Sequence, residues 1–266
     1  MENIKSQMDL SGRTALITGA TGGLGKIISK TLAEIGANLI IVDKPNSNFE
    51  PLLNHLNAGT LPDIRLIECD LEDQKSRSDL ISTINSELQS LSILINNAAF
   101  VGTSELTGWS VPFEEQSLET WRRAIEVNLT SIFDLTKGFV PLMKKSTGAT
   151  IINIASIYGS FAPDWSLYEG TSMGNPAAYA SSKGGLIQLT RWLASTVAPH
   201  IRVNAISPGG ILRNQPGEFV ERYSKKTLLG RMATEEDFIG PIAFLASDLS
   251  RYLTGQNIRI DGGWNV

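Results

Sequence analysis

Tyr179 and Lys183 are four positions apart in the segment Tyr-Ala-Ser-Ser-Lys. On a helix, that spacing puts both side chains on one face. A phenol has a reference pKa of about 10, so it is a poor proton carrier at neutral pH. A fixed ammonium nearby favours the phenolate and lowers that pKa toward the working range. The pair predicts acid–base chemistry at Tyr179, although by itself it would also fit an ordinary amphipathic helix.

A glycine-rich turn near the N-terminus predicts a dinucleotide site. Residues 14–18 read as a buried strand, and a helical pattern over 26–35 follows Gly19, Gly23 and Gly25. Glycines let the backbone turn tightly and approach a pyrophosphate, which then lies at the helix N-terminus. Because a strand precedes this glycine-rich segment and a helix follows it, we do not interpret the segment as only a flexible loop.

The motifs, taken in order, resemble those of the short-chain dehydrogenase/reductase family over residues 10–266. Each motif is modest alone, but their order and spacing together are specific. The matching segments are Thr18–Gly25, Asn96-Asn97-Ala98-Ala99, Asn128, Ser156, Tyr179 with Lys183, Pro208-Gly209 and Gly255–Gly263.

The resemblance implies a catalytic set of four residues. Ser156 would polarise the substrate carbonyl, and Tyr179 would transfer the proton. Lys183 would lower the Tyr179 pKa and hold the nicotinamide ribose, while Asn128 would position a water for proton relay. The implied cofactor-binding residues are Gly19, Thr21, Gly23, Leu24, Gly25, Asp43, Asp70, Leu71, Asn97, Ala98, Ala99, Tyr179, Lys183, Pro208, Gly209 and Ile211.

The pattern of elements predicts an α/β fold. Near-continuous apolar strands separated by helices indicate a parallel sheet covered on both faces. We expect one Rossmann domain over residues 1–266, doubly wound with seven strands, and a polar N-terminal extension at 1–10. Strands are predicted at 14–18, 38–42, 64–69, 92–96, 150–155, 202–206 and 257–260, and helices at 23–35, 75–89, 118–145, 177–197 and 235–246.

Asp43 predicts the cofactor. It ends the second strand, 18 positions after Gly25. A carboxylate there hydrogen-bonds the adenosine ribose and repels a 2′-phosphate, so we expect NAD rather than NADP. Lys26 and Lys44 lie close in sequence and leave NADP as the alternative.

Three departures from the family pattern concern the site. Ala99 stands where the family has Gly, and Arg213 where it often has a Thr that holds the nicotinamide carboxamide. Ser156 and Tyr179 are 23 positions apart, a longer interval than is usual in the family.

The additional segment, residues 161–176, predicts the kind of substrate. It leaves from Ser156 and returns at Tyr179, so it must border the substrate. The segment contains the candidate substrate residues Trp165, Tyr168 and Glu169. A further candidate, Arg213, comes from the stretch after Pro208. Aromatic faces with carboxylates and amides suit a polyhydroxylated ligand better than an acyl chain. A second enlarged loop, 100–116, adds Trp109 and Glu105.

Two other functions stay open at this point. One is a 3-oxoacyl reductase using NADPH, which Asp43 and the long segment disfavour. The other is a non-catalytic NAD-sensing or scaffold protein, which the intact catalytic set disfavours, although a fold alone does not guarantee activity. The favoured prediction is an NAD-dependent oxidoreductase that interconverts a secondary alcohol and a ketone on a sugar-like substrate.

Composition limits the partners. A net charge of −4 without a basic block does not favour nucleic acid, and no apolar run reaches the roughly 20 residues of a membrane helix. His55 and His200 have no metal-ligand neighbours in sequence, so we expect no metal. The polar N-terminus and the single cysteine, Cys69, predict a cytoplasmic protein. We expect a small-molecule substrate and a homotetramer or homodimer.

Overall fold

A parallel sheet of seven strands organises the molecule, in the order β3-β2-β1-β4-β5-β6-β7. The computed structural model describes residues 3–56, 63–101 and 106–266, so the predicted loop residue Glu105 lies outside the described residues. The central strands are buried on both faces and are almost wholly apolar, as a covered parallel sheet requires. The strands are β1 Thr14–Thr18, β2 Asn38–Asp43, β3 Ile64–Glu68, β4 Ile93–Asn96, β5 Ala149–Ile154, β6 Ile201–Pro208 and β7 Asn257–Ile260.

Helices cover both faces of this sheet, which confirms the predicted fold class. The two faces can be followed along β1, where Ala15 and Ile17 enter one apolar cluster and Leu16 enters the other. Side chains of a strand alternate between faces, so a run of apolar residues supplies both clusters. The helices are α1 Ile4–Met8, α2 Gly23–Glu34, α3 Glu50–Leu56, α4 Gln74–Glu87, α5 Leu118–Ile125, α6 Ser131–Met143, α7 Ala177–Val197, α8 Gly217–Lys226 and α9 Ile239–Ala246.

The long helix predicted at 118–145 is divided. A π-helical turn, Glu126–Thr130, separates α5 from α6 and contains Asn128. Such wide turns occur mostly as single insertions in helices and often at functional sites. The apolar period alone did not predict this interruption.

Three helices were not predicted from the sequence. They are α1 in the polar extension, α3 in the polar stretch before β3, and α8 after the Pro208–Gly209 turn. All three are short. The helix α3 buries only Leu52 and Leu56, and two apolar positions are too few to predict a helix from their spacing.

The carboxyl ends of the strands meet at one edge of the sheet. Chain order reverses between β1 and β4, and the crevice at such a switch point is where ligands bind in open α/β sheets. The predicted site residues come from this edge.

Candidate active site

The glycine-rich turn can hold a pyrophosphate. Gly19 has a φ of +64°, and a Cβ on it would lie 2.7 Å from the Ala98 Cα. A Cβ on Gly25 would collide with the Gly19 carbonyl oxygen, so neither position accepts a larger residue. Gly22 is the N-cap of α2 and has no side chain to cap it, which leaves backbone N–H groups for an anion.

Asp43 is fixed at the end of β2. Its Oδ2 accepts from the Thr21 backbone N–H and the Thr21 hydroxyl, both at 2.8 Å. Its Oδ1 accepts from the Lys44 backbone N–H at 2.8 Å and the Ser47 hydroxyl at 3.1 Å. A carboxylate held beside the glycine-rich turn fits an adenosine ribose and disfavours a phosphate there.

Asn97 ties the end of β4 to the glycine-rich turn. Its Nδ2 donates to the carbonyl oxygens of Thr18 at 3.0 Å and Gly19 at 2.9 Å. The Thr18 hydroxyl accepts from the backbone N–H groups of Asn97 and Ala98, both at 3.1 Å. The predicted contact segment Asn97–Ala98 therefore forms one wall of the crevice, with Ala99 directly after it.

The loop after β3 is anchored by a buried arginine. Arg77 donates to the Leu71 carbonyl oxygen at 2.6 Å and is ion-paired with Glu126 at 2.8 Å and Asp134 at 2.9 Å. The arginine therefore connects the predicted cofactor-binding residues Asp70 and Leu71 to the π-helical turn that contains Asn128.

The end of β5 meets α7 at the predicted catalytic residues. Lys183 is buried, and its Nζ donates to the Ile154 carbonyl oxygen at 2.7 Å. The same Nζ lies 5.8 Å from the ring centroid of Tyr179. Ser156 follows two residues after Ile154, and its hydroxyl is a hydrogen-bonding neighbour of Tyr179. The structure thus brings Ser156, Tyr179 and Lys183 together.

Asn128 is fully buried next to this group. Its Oδ1 accepts from the Phe100 backbone N–H at 2.6 Å, and its Nδ2 donates to the Phe100 carbonyl oxygen and the Ser182 hydroxyl, both at 3.1 Å. Ser182 directly precedes Lys183, so Asn128 contacts α7 beside the lysine and not the lysine itself.

Burial shifts the two catalytic pKa values in ways the sequence did not predict. Desolvation raises the pKa of Tyr179, and the Ser156 hydroxyl and the Arg213 guanidinium only partly offset this. Burial also lowers the pKa of Lys183 to about 8. The predicted lowering of the Tyr179 pKa was therefore wrong in direction, because removing a phenolate from water outweighs the help of its neighbours.

A cavity of about 630 Å³ opens at this edge of the sheet. Ser156 and Tyr179 line it together with Pro208, Gly209 and Tyr168. The cavity is therefore lined both by the predicted catalytic residues Ser156 and Tyr179 and by part of the additional segment between them.

The other predicted substrate residues lie at different places. Trp165 is 59% exposed and lines an adjoining cavity of about 590 Å³. Glu169 is exposed and lines neither cavity; its backbone carbonyl oxygen accepts a hydrogen bond from Arg222. The predicted role of Glu169 therefore has no geometric support.

Arg213 lies between the cavity and the glycine-rich turn. It lines the cavity, and its Nε is paired with Glu235 at 3.0 Å. A Cβ on Gly23 would lie 2.6 Å from the Glu235 Oε1 and 3.3 Å from the Arg213 Nη2, so this ion pair lies against the glycine-rich turn. Ile211 forms a parallel bridge with Ala233, which holds this stretch in place.

Sequence reasoning missed several cavity residues, among them Tyr158 and Tyr223. Tyr158 stands two positions after Ser156, and Tyr223 lies on the unpredicted α8. The Tyr223 hydroxyl accepts from the Gly210 backbone N–H at 2.5 Å. Proximity to Ser156 could have indicated Tyr158, whereas nothing local indicated Tyr223.

Comparisons with known proteins agree with this geometry. A family model described as enoyl-(acyl carrier protein) reductase matches residues 19–265. Trans-4-hydroxycyclohexanecarboxylate dehydrogenase of Sinomonas cyclohexanicum is 35% identical over 257 residues, which covers 94% of this chain and 92% of the relative. Post-translational flagellin modification protein A of Campylobacter coli is 29% identical over 259 residues, or 97% and 100% of the two chains. The crystal structure of a short-chain dehydrogenase from Leptospira borgpetersenii with bound NAD+ matches with a TM-score of 0.82 and 32% identity, over 100% and 97% of the chains.

The chain therefore belongs to the short-chain dehydrogenase/reductase family. Its relatives are NAD(P)-dependent oxidoreductases that act on CH–OH groups, and solved structures contain NAD in one case and NADP in others. Within the described ranges, no group of His, Cys, Asp and Glu side chains could hold a metal ion. None of the helices that the structure describes is long and apolar enough to cross a membrane.

Proposed function

We propose that this oxidoreductase uses NAD to interconvert a secondary alcohol and a ketone on a polyhydroxylated substrate, a sugar or sugar derivative. The observation that carries the proposal is the cavity that Ser156 and Tyr179 share with the aromatic and amide side chains of residues 161–176. A ring with several hydroxyl groups could pack on the aromatic faces and hydrogen-bond the polar groups.

The chemistry follows from the positions of three side chains. The Ser156 hydroxyl donates to the substrate oxygen and stabilises charge that develops on it. Tyr179 removes the hydroxyl proton in oxidation and returns it in reduction. During the transfer, the Lys183 ammonium, held by the Ile154 carbonyl oxygen, would offset part of the desolvation that raises the pKa of Tyr179. Bound NAD supplies the hydride acceptor or donor.

The preference for NAD rests on Asp43. Its carboxylate is held by Thr21 next to the turn that fits the pyrophosphate. A 2′-phosphate would meet a fixed negative charge there, while ribose hydroxyls would meet a hydrogen-bond acceptor.

Reduction of a 3-oxoacyl group with NADPH is the second candidate. It is favoured by relatives of 33% and 34% identity that are named 3-oxoacyl-[acyl-carrier-protein] reductases, and the matching family model also concerns an acyl-carrier substrate. Asp43 and the polar segment over the cavity argue against it. A non-catalytic NAD-binding role would leave the shared position of Ser156, Tyr179 and Lys183 without a purpose.

A turnover screen tests these alternatives. Wild type is incubated with NAD and separately with NADP against polyols, sugars and sugar nucleotides, and with NADPH against a 3-oxoacyl thioester, while Tyr179→Phe serves as the inactive control. We expect reduction of NAD by at least one polyhydroxylated compound. Turnover confined to the thioester with NADPH would overturn the proposal, and no turnover with any compound would favour the non-catalytic role.

A further inference from the structure

Three polar side chains form one side of the catalytic cavity, and we name them the tyrosine–amide wall: Tyr158, Tyr168 and Asn175. The hydroxyl groups of Tyr158 and Tyr168 are 2.8 Å apart, and the Asn175 amide is a hydrogen-bonding neighbour of the Tyr168 hydroxyl. All three line the same cavity as Ser156 and Tyr179.

The wall is close to both catalytic groups along the chain. Tyr158 follows Ser156 by two positions, and Asn175 precedes Tyr179 by four. Short connections of this kind leave little freedom for the wall to move independently of the reacting centre.

The wall has an unused hydrogen-bonding capacity. Asn175 is 7% exposed, and its Oδ1 has no hydrogen-bond partner within residues 3–56, 63–101 and 106–266. A buried polar atom without a partner is costly and rare, so such an atom at a cavity calls for an explanation. A rotation of the amide toward a donor in the cavity would satisfy it.

The rings of the wall are held rigidly. Tyr158 packs edge-on against Trp264 with centroids 6.1 Å apart, and Tyr168 packs against Phe219 at 5.4 Å. Because packing fixes the rings, their hydroxyl groups are already in position, and little entropy is lost when they bind a ligand.

The wall is neutral at physiological pH. Desolvation is the main cause that raises the pKa of Tyr158 and of Tyr168, so both remain phenols. The guanidinium of Arg213 is paired with Glu235. Neutral donors and acceptors match hydroxyl groups better than they match a carboxylate or a phosphate.

We propose that the tyrosine–amide wall, through Asn175 and Tyr168, recognises a hydroxyl group on the carbon next to the one that reacts. The substrate class is then a vicinal diol on a ring. Ser156 and Tyr179 hold the reacting oxygen, while the wall holds its neighbour and sets the orientation of the ring. This inference rests on the proposed dehydrogenase function and narrows its substrate.

A matched pair of alcohols tests the inference. Wild type, Asn175→Leu and Tyr168→Phe are assayed with NAD against cis-1,2-cyclohexanediol and cyclohexanol, which differ by one hydroxyl group. Tyr252→Phe, at a fully exposed tyrosine, is the control for the substitution type. Thermal midpoints identify any variant that fails to fold. If Asn175→Leu does not fold, Tyr168→Phe still tests the inference, because it keeps the packed ring and removes only the hydroxyl group.

We expect wild type and Tyr252→Phe to favour the diol in kcat/KM. Loss of a hydrogen bond in a buried site should reduce kcat/KM for the diol about tenfold to a hundredfold in the wall variants, mostly through KM. Activity on cyclohexanol should fall by a smaller factor than activity on the diol, so the diol-to-cyclohexanol ratio should drop in both wall variants. A diol-to-cyclohexanol ratio that is the same in wild type and both wall variants would overturn the inference and leave the dehydrogenase function intact.

Absence of turnover with either alcohol would count against the proposed function, and binding would then decide the inference. Saturation-transfer NMR of cis-1,2-cyclohexanediol on the NAD complex gives that measurement. A signal present in wild type and weakened in both wall variants supports the inference, and equal signals, or no signal in wild type, overturn it.

Discussion

Tyr179 is the residue whose hydroxyl carries the proposed proton transfer, and its removal gives the first prediction. Tyr179→Phe should lower kcat by at least about a hundredfold, the lower range for a positioned acid–base group. The dissociation constant for NADH should change little, because the ring still packs in place. Steady-state kinetics with an NADH titration measures both, and near wild-type turnover would show that another group transfers the proton.

Lys183 gives a pH dependence whose direction follows from its burial. Its pKa is lowered from 10.5 to about 8 by desolvation. Between these pH values Lys183 binds a proton in the unfolded chain and not in the folded one, so its contribution to the free energy of unfolding rises with pH. The Lys183→Met variant lacks this titrating group and has all the other titratable groups of wild type, so the difference between the two proteins reports on Lys183.

The difference in free energy of unfolding, wild type minus Lys183→Met, should therefore increase from about pH 8 to 10.5, by at most about 3 kcal/mol. Urea denaturation across that range measures the difference. A flat difference would mean that Lys183 titrates normally in the folded protein.

Asp43 gives the prediction on cofactor choice. Asp43→Ala removes both the ribose acceptor and the fixed negative charge, so the ratio of kcat/KM for NAD over NADP should fall about tenfold to a hundredfold. Asp43→Asn is the control that keeps an acceptor oxygen without the charge. Its ratio of kcat/KM for NAD over NADP should lie between those of wild type and Asp43→Ala. A wild type that already prefers NADP would contradict the assignment of Asp43.

At the scale of elements, Arg77 connects α4, the loop after β3 and the π-helical turn. Its side chain is 3% exposed, while its partners Glu126 and Asp134 are 34% and 30% exposed. Removing a buried partner of an ion pair typically costs about 3–5 kcal/mol, and the partial exposure of the carboxylates places this case near the lower end.

Arg77→Leu should therefore reduce the free energy of unfolding by about 2–3 kcal/mol. Arg123→Leu is the matched control, since Arg123 is paired with Glu72 at the surface and should cost less than about 1 kcal/mol. Urea denaturation compares the two variants. Equal losses of free energy of unfolding in the two variants would mean that the buried ion pairs of Arg77 stabilise the fold no more than the surface pair of Arg123.

At the scale of the whole molecule, exposed aromatic side chains favour self-association. Trp121 on α5, Phe133 on α6 and Trp192 on α7 are all exposed, and α5 packs against α7. Exposed large apolar side chains mark an interface when they form one patch, and soluble oligomers are usually symmetric.

We expect a homotetramer or homodimer, and Trp192→Asp should lower the mass measured by light scattering at micromolar concentration. Ile4→Asp, at an exposed position on the short α1, is the control that should leave the mass unchanged. A wild-type mass near 28.8 kDa would contradict the assembly.

The sequence by itself determined the family, the seven-stranded parallel sheet and the cluster of site segments at one sheet edge. The reason is local: each strand is a short apolar run, the turns after β1 and β6 have glycines, and the ends of parallel strands necessarily meet at one edge. Ser156, Tyr179 and Lys183 could be predicted because β5 and α7 bring fixed positions together.

Only the tertiary structure decided the direction of the pKa shifts of these residues and the side chains that surround them. Desolvation raises the pKa of Tyr179, and desolvation depends on everything packed around it. Tyr158 and Tyr168 meet 2.8 Å apart because an irregular segment folds over the cavity, while Glu169 of the same segment stays in solvent. Residue type and spacing cannot predict those positions, because an irregular segment lacks the fixed period that orients side chains in a helix or strand.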